Sequence, residues 1–312
     1  MTASNNTGRG ERLMRSAQSE SQKKHRQVRR NLERLAIISQ FCHLASFTLK
    51  RPRTKLECGA LITSIDVDVG SSRLGEINRG RNDSNVHDYL SEEYLGEVEE
   101  NTVPLLTQFF DDLAIPVTFA VRGQLTEVDN SIVELILDSS IEHEIAAHGY
   151  SHRTFTSLSR AEAQKELQMI STGFQKLGLR PTSFVFPKNR VSHLDLLERF
   201  RYECYREEGS LLKDDMSIRR KGQLYDVHPG FYLGLTHNPI FLTKIIDIAV
   251  TRRLPFHIWF HPLNIFEIHG STQKNIRGAF SPLYYYAKKK EKEGTLKFAT
   301  MRSIVNEIKT SS

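Results

Sequence analysis

Two carboxylates stand where a strand should be apolar. Residues 62–70 read ITSIDVDVG, in which Asp66 and Asp68 interrupt the strand formers Ile62, Ile65, Val67 and Val69, and Gly70 follows at once. Side chains two apart on a strand point the same way, so both charges share one face. A buried carboxylate is costly unless it is paired, hydrogen-bonded or bound to a metal. Three other apolar runs end in polar residues: His148 and His152 in HGYSH, Lys188 and Asn189 in FVFPKN, and His261 in WFHP. Two histidines four apart are a weak signal alone. Joined to an aspartate, they make an N,N,O set suited to zinc or a similar divalent ion, with coordination positions left open. Such an ion makes water more acidic and polarises a carbonyl. A second carboxylate can then take a proton, and a histidine across the site can protonate a leaving group.

The elements that must position these residues follow from the patterning. From residue 57 onward, short apolar runs alternate with amphipathic helical stretches, which indicates βα repeats around a largely parallel sheet. The runs are ALITSIDVDVG, IPVTFAV at 115–121, IEHEIAAHG at 141–149, TSFVFP at 182–187, PFHIWFHP at 255–262 and TLKFAT at 295–300. Helices are predicted over 96–113, 131–137, 159–178, 193–200 and 240–250, from Ser281 with Pro282 in its first turn, and after residue 300. The stretch 159–178 is the clearest. Ser159 and Glu162 form a capping-box pair, Ala163, Leu167, Ile170, Phe174 and Leu177 recur at helical spacing, and Gly178 suits its end. Residues 71–95 read as a long polar loop, in which Asp83, Asn85 and His87 are candidates for a substrate rim. Enzymes built on parallel βα units carry their chemistry at the C-terminal ends of strands, where all four polar run-ends fall.

Charge is unevenly spread. Residues 1–55 carry about +10 and the remaining 257 residues about −4, against +6 for the whole chain. The arm therefore suits an anionic membrane surface or an acidic partner, with nucleic acid the less favoured partner, while its composition also fits a disordered or partly helical extension. No run of 18 apolar residues offers a membrane span. LAIISQFCHLASFTL, residues 35–49, is too far from the start for a signal peptide and lacks an A-x-A site, so a helix packed on the domain or lying on a membrane is expected. Three cysteines, Cys42, Cys58 and Cys204, without a close pair, argue against a disulfide scaffold and for a reducing compartment. A cytoplasmic location, with the inner membrane surface as an option, is the resulting expectation.

The motifs together resemble the polysaccharide deacetylase family, the carbohydrate esterases that share the NodB homology domain. Ser64-Ile65-Asp66-Val67-Asp68 is similar to the family's Phe-Asp-x-Asp variant, and HGYSH to its His-Ser/Thr-x-x-His, with Gly149 at the second position. IPVTFAVRG resembles the family's strand after the first helix, and FVFPKN, WFHP and GTLKFATM take the places of later family segments, so the resemblance covers residues 57–302. It implies a distorted (β/α) barrel of about seven parallel strands over residues 56–312, behind the arm at 1–55. It also implies a metal-dependent hydrolase that removes N-acetyl groups from an amino-sugar-containing glycan or glycoconjugate. Asp68, His148 and His152 would bind the ion, zinc first, with Co2+, Ni2+ or Mn2+ as alternatives. Asp66 would be the general base and His261 the general acid, with a backbone N–H near Lys188 or Asn189 stabilising the oxyanion. The family orients its base with an arginine, for which Lys188 and Arg190 are the nearest matches here, although lysine lacks the planar fork. Asp226 is a candidate for the carboxylate that tunes the acid histidine. Two other readings stay open: hydrolysis of a cyclic amide or formamide on the same fold, and a carbohydrate-binding member without catalysis.

Overall fold

The computed structural model describes residues 44–45, 47–49, 54–68, 95–96, 98–207, 216–228, 231–233, 239–262 and 273–311. Most of the basic arm, and the loop holding Asp83, Asn85 and His87, lie outside the described residues. Ten strands are present among them: β1 (Gly59–Val67), β2 (Thr118–Val121), β3 (Glu144–Ala147), β4 (Ser183–Val185), β5 (Cys204–Arg206), β6 (Arg219–Lys221), β7 (Leu224–Asp226), β8 (Phe231–Tyr232), β9 (Pro255–Phe260) and β10 (Leu296–Ala299). The helices are α1 (Val103–Asp112), α2 (Leu125–Val128), α3 (Ser131–Leu137), α4 (Arg160–Lys176), α5 (Leu194–Arg199), α6 (Pro239–Arg252), α7 (Gln273–Lys292) and α8 (Met301–Ser311).

The strands join one curled sheet in the order β6-β7-β5-β4-β3-β2-β1-β9-β8. Every pairing is parallel except β6 with β7. No pairing joins the two ends of this path among the described residues, so the sheet is a half-barrel, within the distorted (β/α) barrel that the motifs imply. β1 is its axis. β9 runs along one edge of β1, while β10 takes residues 59–62 of the other edge and β2 takes residues 64–67.

All of β1 is buried, as expected of a parallel strand covered on both faces. Its alternation separates two environments. Leu61, Ile65 and Val67 join the outer core under the helices, together with Leu106, Phe119, Phe174 and Tyr284. Ala60 and Ile62 face the interior, where they meet Ala120, Ala146, Val185 and Val227. Further along that same inner column come Ser64, Asp66 and Asp68. The inner column of β1 therefore runs from apolar side chains at its start to polar ones at its C-terminal end.

α8 stops the base. Met301, Ile304 and Val305 enter the inner core. The buried Glu144 carboxylate accepts from the Arg302 backbone N–H at 3.0 Å, from Thr118 Oγ1 at 2.8 Å and from Ser183 Oγ. A carboxylate suits the N-terminus of a helix, whose first N–H groups lack intrahelical partners. On the outer face α4 carries both halves of its predicted capping box, with the Ser159 N–H donating to Glu162 Oε2 at 2.8 Å.

The predicted helix start at Ser281 is corrected. α7 begins at Gln273, and Pro282 lies in its interior. A proline there forfeits one backbone hydrogen bond. Burial of Phe280, Leu283 and Tyr284 on the outer core offsets that loss. Near the arm, Phe47 is buried and packs edge-on against Phe256, with ring centroids 6.3 Å apart. Thr54 exchanges hydrogen bonds of 2.8 and 2.9 Å with the backbone of Ile218. The end of the predicted arm thus packs on the domain. No described helix is long and apolar enough to cross a membrane.

Glu144→Ala should destabilise the fold by about 3 kcal/mol, because two buried hydroxyls and the half-buried Arg302 N–H lose their common acceptor. Urea unfolding checks this, and a change below about 0.5 kcal/mol would contradict the role of Glu144 at the barrel base.

Candidate active site

Asp66 is met by an arginine from four strands away. Arg206, the last residue of β5, is fully buried and grips Asp66 with both arms of its guanidinium, Nη1 reaching Oδ1 at 2.7 Å and Nη2 reaching Oδ2. Its Nε donates to Asn189 Oδ1 at 3.0 Å, and Nη1 also donates to Ser64 Oγ at 2.8 Å. The guanidinium lies over the Trp259 ring, 4.4 Å from its centroid. Ser64 Oγ in turn lies 2.8 Å from His257 Nε2, and His257 Nδ1 lies 3.3 Å from the Val227 carbonyl. A carbonyl only accepts, so Nδ1 carries the proton and Nε2 accepts from Ser64. Burial, reinforced by the charge of Arg206, pushes His257 down to about 3, so the imidazole is neutral near neutral pH.

Burial alone would raise the Asp66 carboxyl. The charge of Arg206, with its hydrogen bonds, outweighs burial and holds Asp66 below the usual aspartate range. A carboxylate so deeply placed therefore stays ionised, as a proton acceptor must.

Asp68, one step further along the same face, meets the histidines. His148 Nδ1 donates to the Val185 carbonyl at 2.9 Å, which leaves the Nε2 lone pair aimed into the site. His148 Nε2 is 3.2 Å from His152 Nε2, and His152 Nε2 is 3.4 Å from Asp68 Oδ2. One donor atom from each of Asp68, His148 and His152 lies within 4.8 Å of the others, and all three residues are buried. Two nitrogen ligands of one tetrahedral ion stand about 3.3 Å apart, given metal–nitrogen bonds near 2 Å. The donor set therefore fits a divalent ion in spacing as well as in chemistry. Burial holds His148 below the usual histidine range, so it is neutral as a ligand must be.

His261, just past β9, completes the cluster. Its Nε2 lies 3.3 Å from Asp68 Oδ2 and 4.0 Å from Asp66 Oδ2. Burial opposes charge on this imidazole, but Asp68 and then Asp66 outweigh it and hold His261 above its usual range. Burial likewise works against ionised Asp68, and His261 with His152 overcomes it, so Asp68 stays far below the usual aspartate range.

The structure thus brings together Asp66, Asp68, His148, His152 and His261. It does not bring Lys188 to Asp66. Lys188 is exposed on a single turn over Pro187–Asn189, in a left-handed conformation with φ of 55°, and forms no ion pair among the described residues. Arg206 stands in the place expected of Lys188 or Arg190, and was missed because β5 is only three residues long, too short for a periodic signal. Its position at the end of a run, CYR, was the available clue. Of the two backbone donors that the resemblance implies, the Asn189 N–H is committed to the Phe186 carbonyl at 2.8 Å, which leaves that of Lys188.

Asp226 is likewise not at the site. It is buried on β7, 3.8 Å from Lys221 Nζ, and burial together with the charge of Glu207 pushes it up to about 8. Nδ1 of His261 has no hydrogen-bond partner among the described residues.

Comparison with known proteins shows what this chain is similar to. Residues 93–199 match the family model described as Polysaccharide deacetylase. A peptidoglycan deacetylase of Helicobacter pylori (strain ATCC 700392 / 26695) is 28% identical over 145 residues, which is 45% of this chain and 46% of that protein. The chain thus aligns with less than half the length of that relative. Among solved structures, a Mycobacterium smegmatis protein assigned to the polysaccharide deacetylases superposes with a TM-score of 0.61 at 17% identity, covering 84% of this chain and 95% of that one. A Pseudomonas aeruginosa PAO1 protein with the same assignment gives 0.57 at 14% identity, covering 80% and 90%. Puue allantoinase gives 0.56 at 16% identity, covering 80% and 89%. At these identities the structural likeness concerns the fold.

Arg206→Met should destabilise the ion-free protein by about 3–5 kcal/mol at neutral pH, because Asp66 is left buried and unpaired. In the native protein the lowered Asp66 contributes stability above its ordinary value of 3.8, and that contribution fades as pH falls below it. In the variant, burial raises Asp66, so the penalty disappears once folded and unfolded states are both protonated. Urea unfolding at pH 7 and at about pH 3.5 should show the gap between the two proteins shrinking. A gap that stays constant would contradict the pairing.

Proposed function

We propose, starting from the family resemblance that the match over residues 93–199 bears out, that the chain is a divalent-metal-dependent hydrolase of acetamides. It would remove N-acetyl groups from an amino-sugar-containing glycan or glycoconjugate. The observation that carries the reading is the convergence of Asp66, Asp68, His148, His152 and His261 at one polar barrel mouth.

Asp68, His148 and His152 would hold the ion, and zinc suits the N,N,O set best. When bound, it supplies Lewis-acid polarisation of the acetamide carbonyl and a more acidic water. The chain's own residues supply the rest. Asp66 takes the proton from the attacking water at Oδ2, the oxygen that lies within 4.0 Å of both His148 and His261. Arg206 keeps that carboxylate ionised and fixes its plane, at some loss of basicity. His261 holds a proton at Nε2, favoured by the two aspartates, and delivers it to the departing nitrogen. The Lys188 N–H is the remaining backbone candidate for the developing oxyanion. The products are acetate and a free amino sugar.

The test joins ion content with acetate release. His148→Ala should lose the bound ion, and full ion content in that variant would sink the ligand assignment. Asp66→Asn should retain the ion while hydrolysis falls by about 100-fold or more, the scale of a lost general base. Unchanged turnover would remove Asp66 from that role. Acetate release from N-acetylated oligosaccharides, with cyclic amides and formamides run beside them, separates the acetamide reading from other C–N hydrolysis.

A further inference from the structure

The two histidines of HGYSH are carried by a loop with unusual backbone geometry. Gly149 has φ of 67° and His152 has φ of 64°. A non-glycine residue in the left-handed region costs about 1–3 kcal/mol, so something must hold His152 there. The family's serine or threonine at the second motif position cannot do so here. That position is Gly149, and a Cβ on it would meet Pro187 Cγ at 2.8 Å.

Contacts from both sides of the loop hold it instead. The carbonyls of Gly149 and Tyr150 accept from the backbone N–H groups of Gly123 and Gln124 at 2.8 and 3.1 Å. From the other side comes Glu166, a buried carboxylate on α4. Its Oε2 accepts from the backbone N–H groups of Tyr150 and Ser151, each at 3.0 Å, and its Oε1 accepts from Ser151 Oγ at 2.5 Å. These donors lie between His148 and His152 in the chain. The hydrogen bonds of Glu166 go to Tyr150 and Ser151 and to none of the five clustered side chains.

We infer that Glu166 is the positioning residue of the metal-ligand pair: its carboxylate ties down the peptides between His148 and His152 and so sets the spacing of their Nε2 atoms. The inference rests on the metal reading above. It goes further by placing part of the ion's affinity in a helix that does not reach the site. Capping box, helix and carboxylate then form one device, because Ser159 fixes where α4 starts and Glu166 lies two turns further on.

The test uses the full chain freed of ions, titrated with Zn2+ by calorimetry, with hydrogen exchange followed at Tyr150 and Ser151. Glu166→Ala should weaken Zn2+ binding about tenfold or more, the scale on which groups that orient metal ligands act. It should also speed exchange at those two amides. Glu166→Gln can still accept from both N–H groups through its carbonyl and donate to Ser151 Oγ, so it should restore binding to within about threefold. Leu283→Ala, a core truncation in α7, should lower stability and leave affinity unchanged. Unaltered affinity in Glu166→Ala, or an equal loss in Leu283→Ala, would overturn the inference. If the native protein itself binds no Zn2+, the metal reading fails, and exchange decides on Glu166. Faster exchange confined to Tyr150 and Ser151 would uphold its hold on the loop, and unchanged exchange would overturn it.

Discussion

The buried pair of Asp66 and Arg206 is the constraint on which the rest of this structure depends. Removing two charges from water costs several kcal/mol for each ion, and attraction repays that only when geometry is good and the remaining donors are satisfied. Every nearby polar residue answers that demand. Ser64 and Asn189 take the spare guanidinium hydrogens, Trp259 covers its face, and neutral His257 supports Ser64. The result is a carboxylate that is charged, fixed in orientation and adjacent to His148 and His261. Such a carboxylate would be unstable in an apolar strand, and it is kept because the inner column of the sheet turns polar at this level.

That change from apolar base to polar mouth follows from the period of two. Ala60, Ile62, Ser64, Asp66 and Asp68 form one column, and His257, Trp259 and His261 lie in the adjoining one on β9. At the base, Glu144 plays the same part in smaller scale, since one carboxylate satisfies the start of α8 and the hydroxyls of Thr118 and Ser183. Both ends of the barrel thus hold buried carboxylates. At the base the carboxylate is saturated with donors from the chain itself, whereas at the mouth Asp68 and the two histidines converge on a common centre.

Much of this was legible in the sequence because it rests on local signals. The ITSIDVDVG alternation, the HxxxH spacing, the capping box of α4 and the polar end of WFHP each reflect a rule that acts over a few residues. Arg206 did not show, because β5 to β8 are two or three residues long and owe their strand geometry to neighbours rather than to their own pattern. Lys188 was the nearest basic residue along the chain, but the sheet brings in a residue from the next strand instead. Pro282 misled for the opposite reason: a strong local rule for helix starts gave way to the packing of Phe280, Leu283 and Tyr284. The role of Glu166 was also hidden, since a glutamate on a helix surface pattern gives no sign of which loop it will meet.

The central claim is a division of labour between two carboxylates on one strand, with Asp68 a ligand and Asp66 a base held back by Arg206. Anomalous diffraction from crystals soaked in Zn2+ tests it most directly. The account predicts one ion bound by Asp68, His148 and His152, with Asp66 still in its two-point contact with Arg206 and outside the coordination sphere. An ion coordinated by Asp66 with Arg206 displaced, or one bound away from His148 and His152, would contradict it.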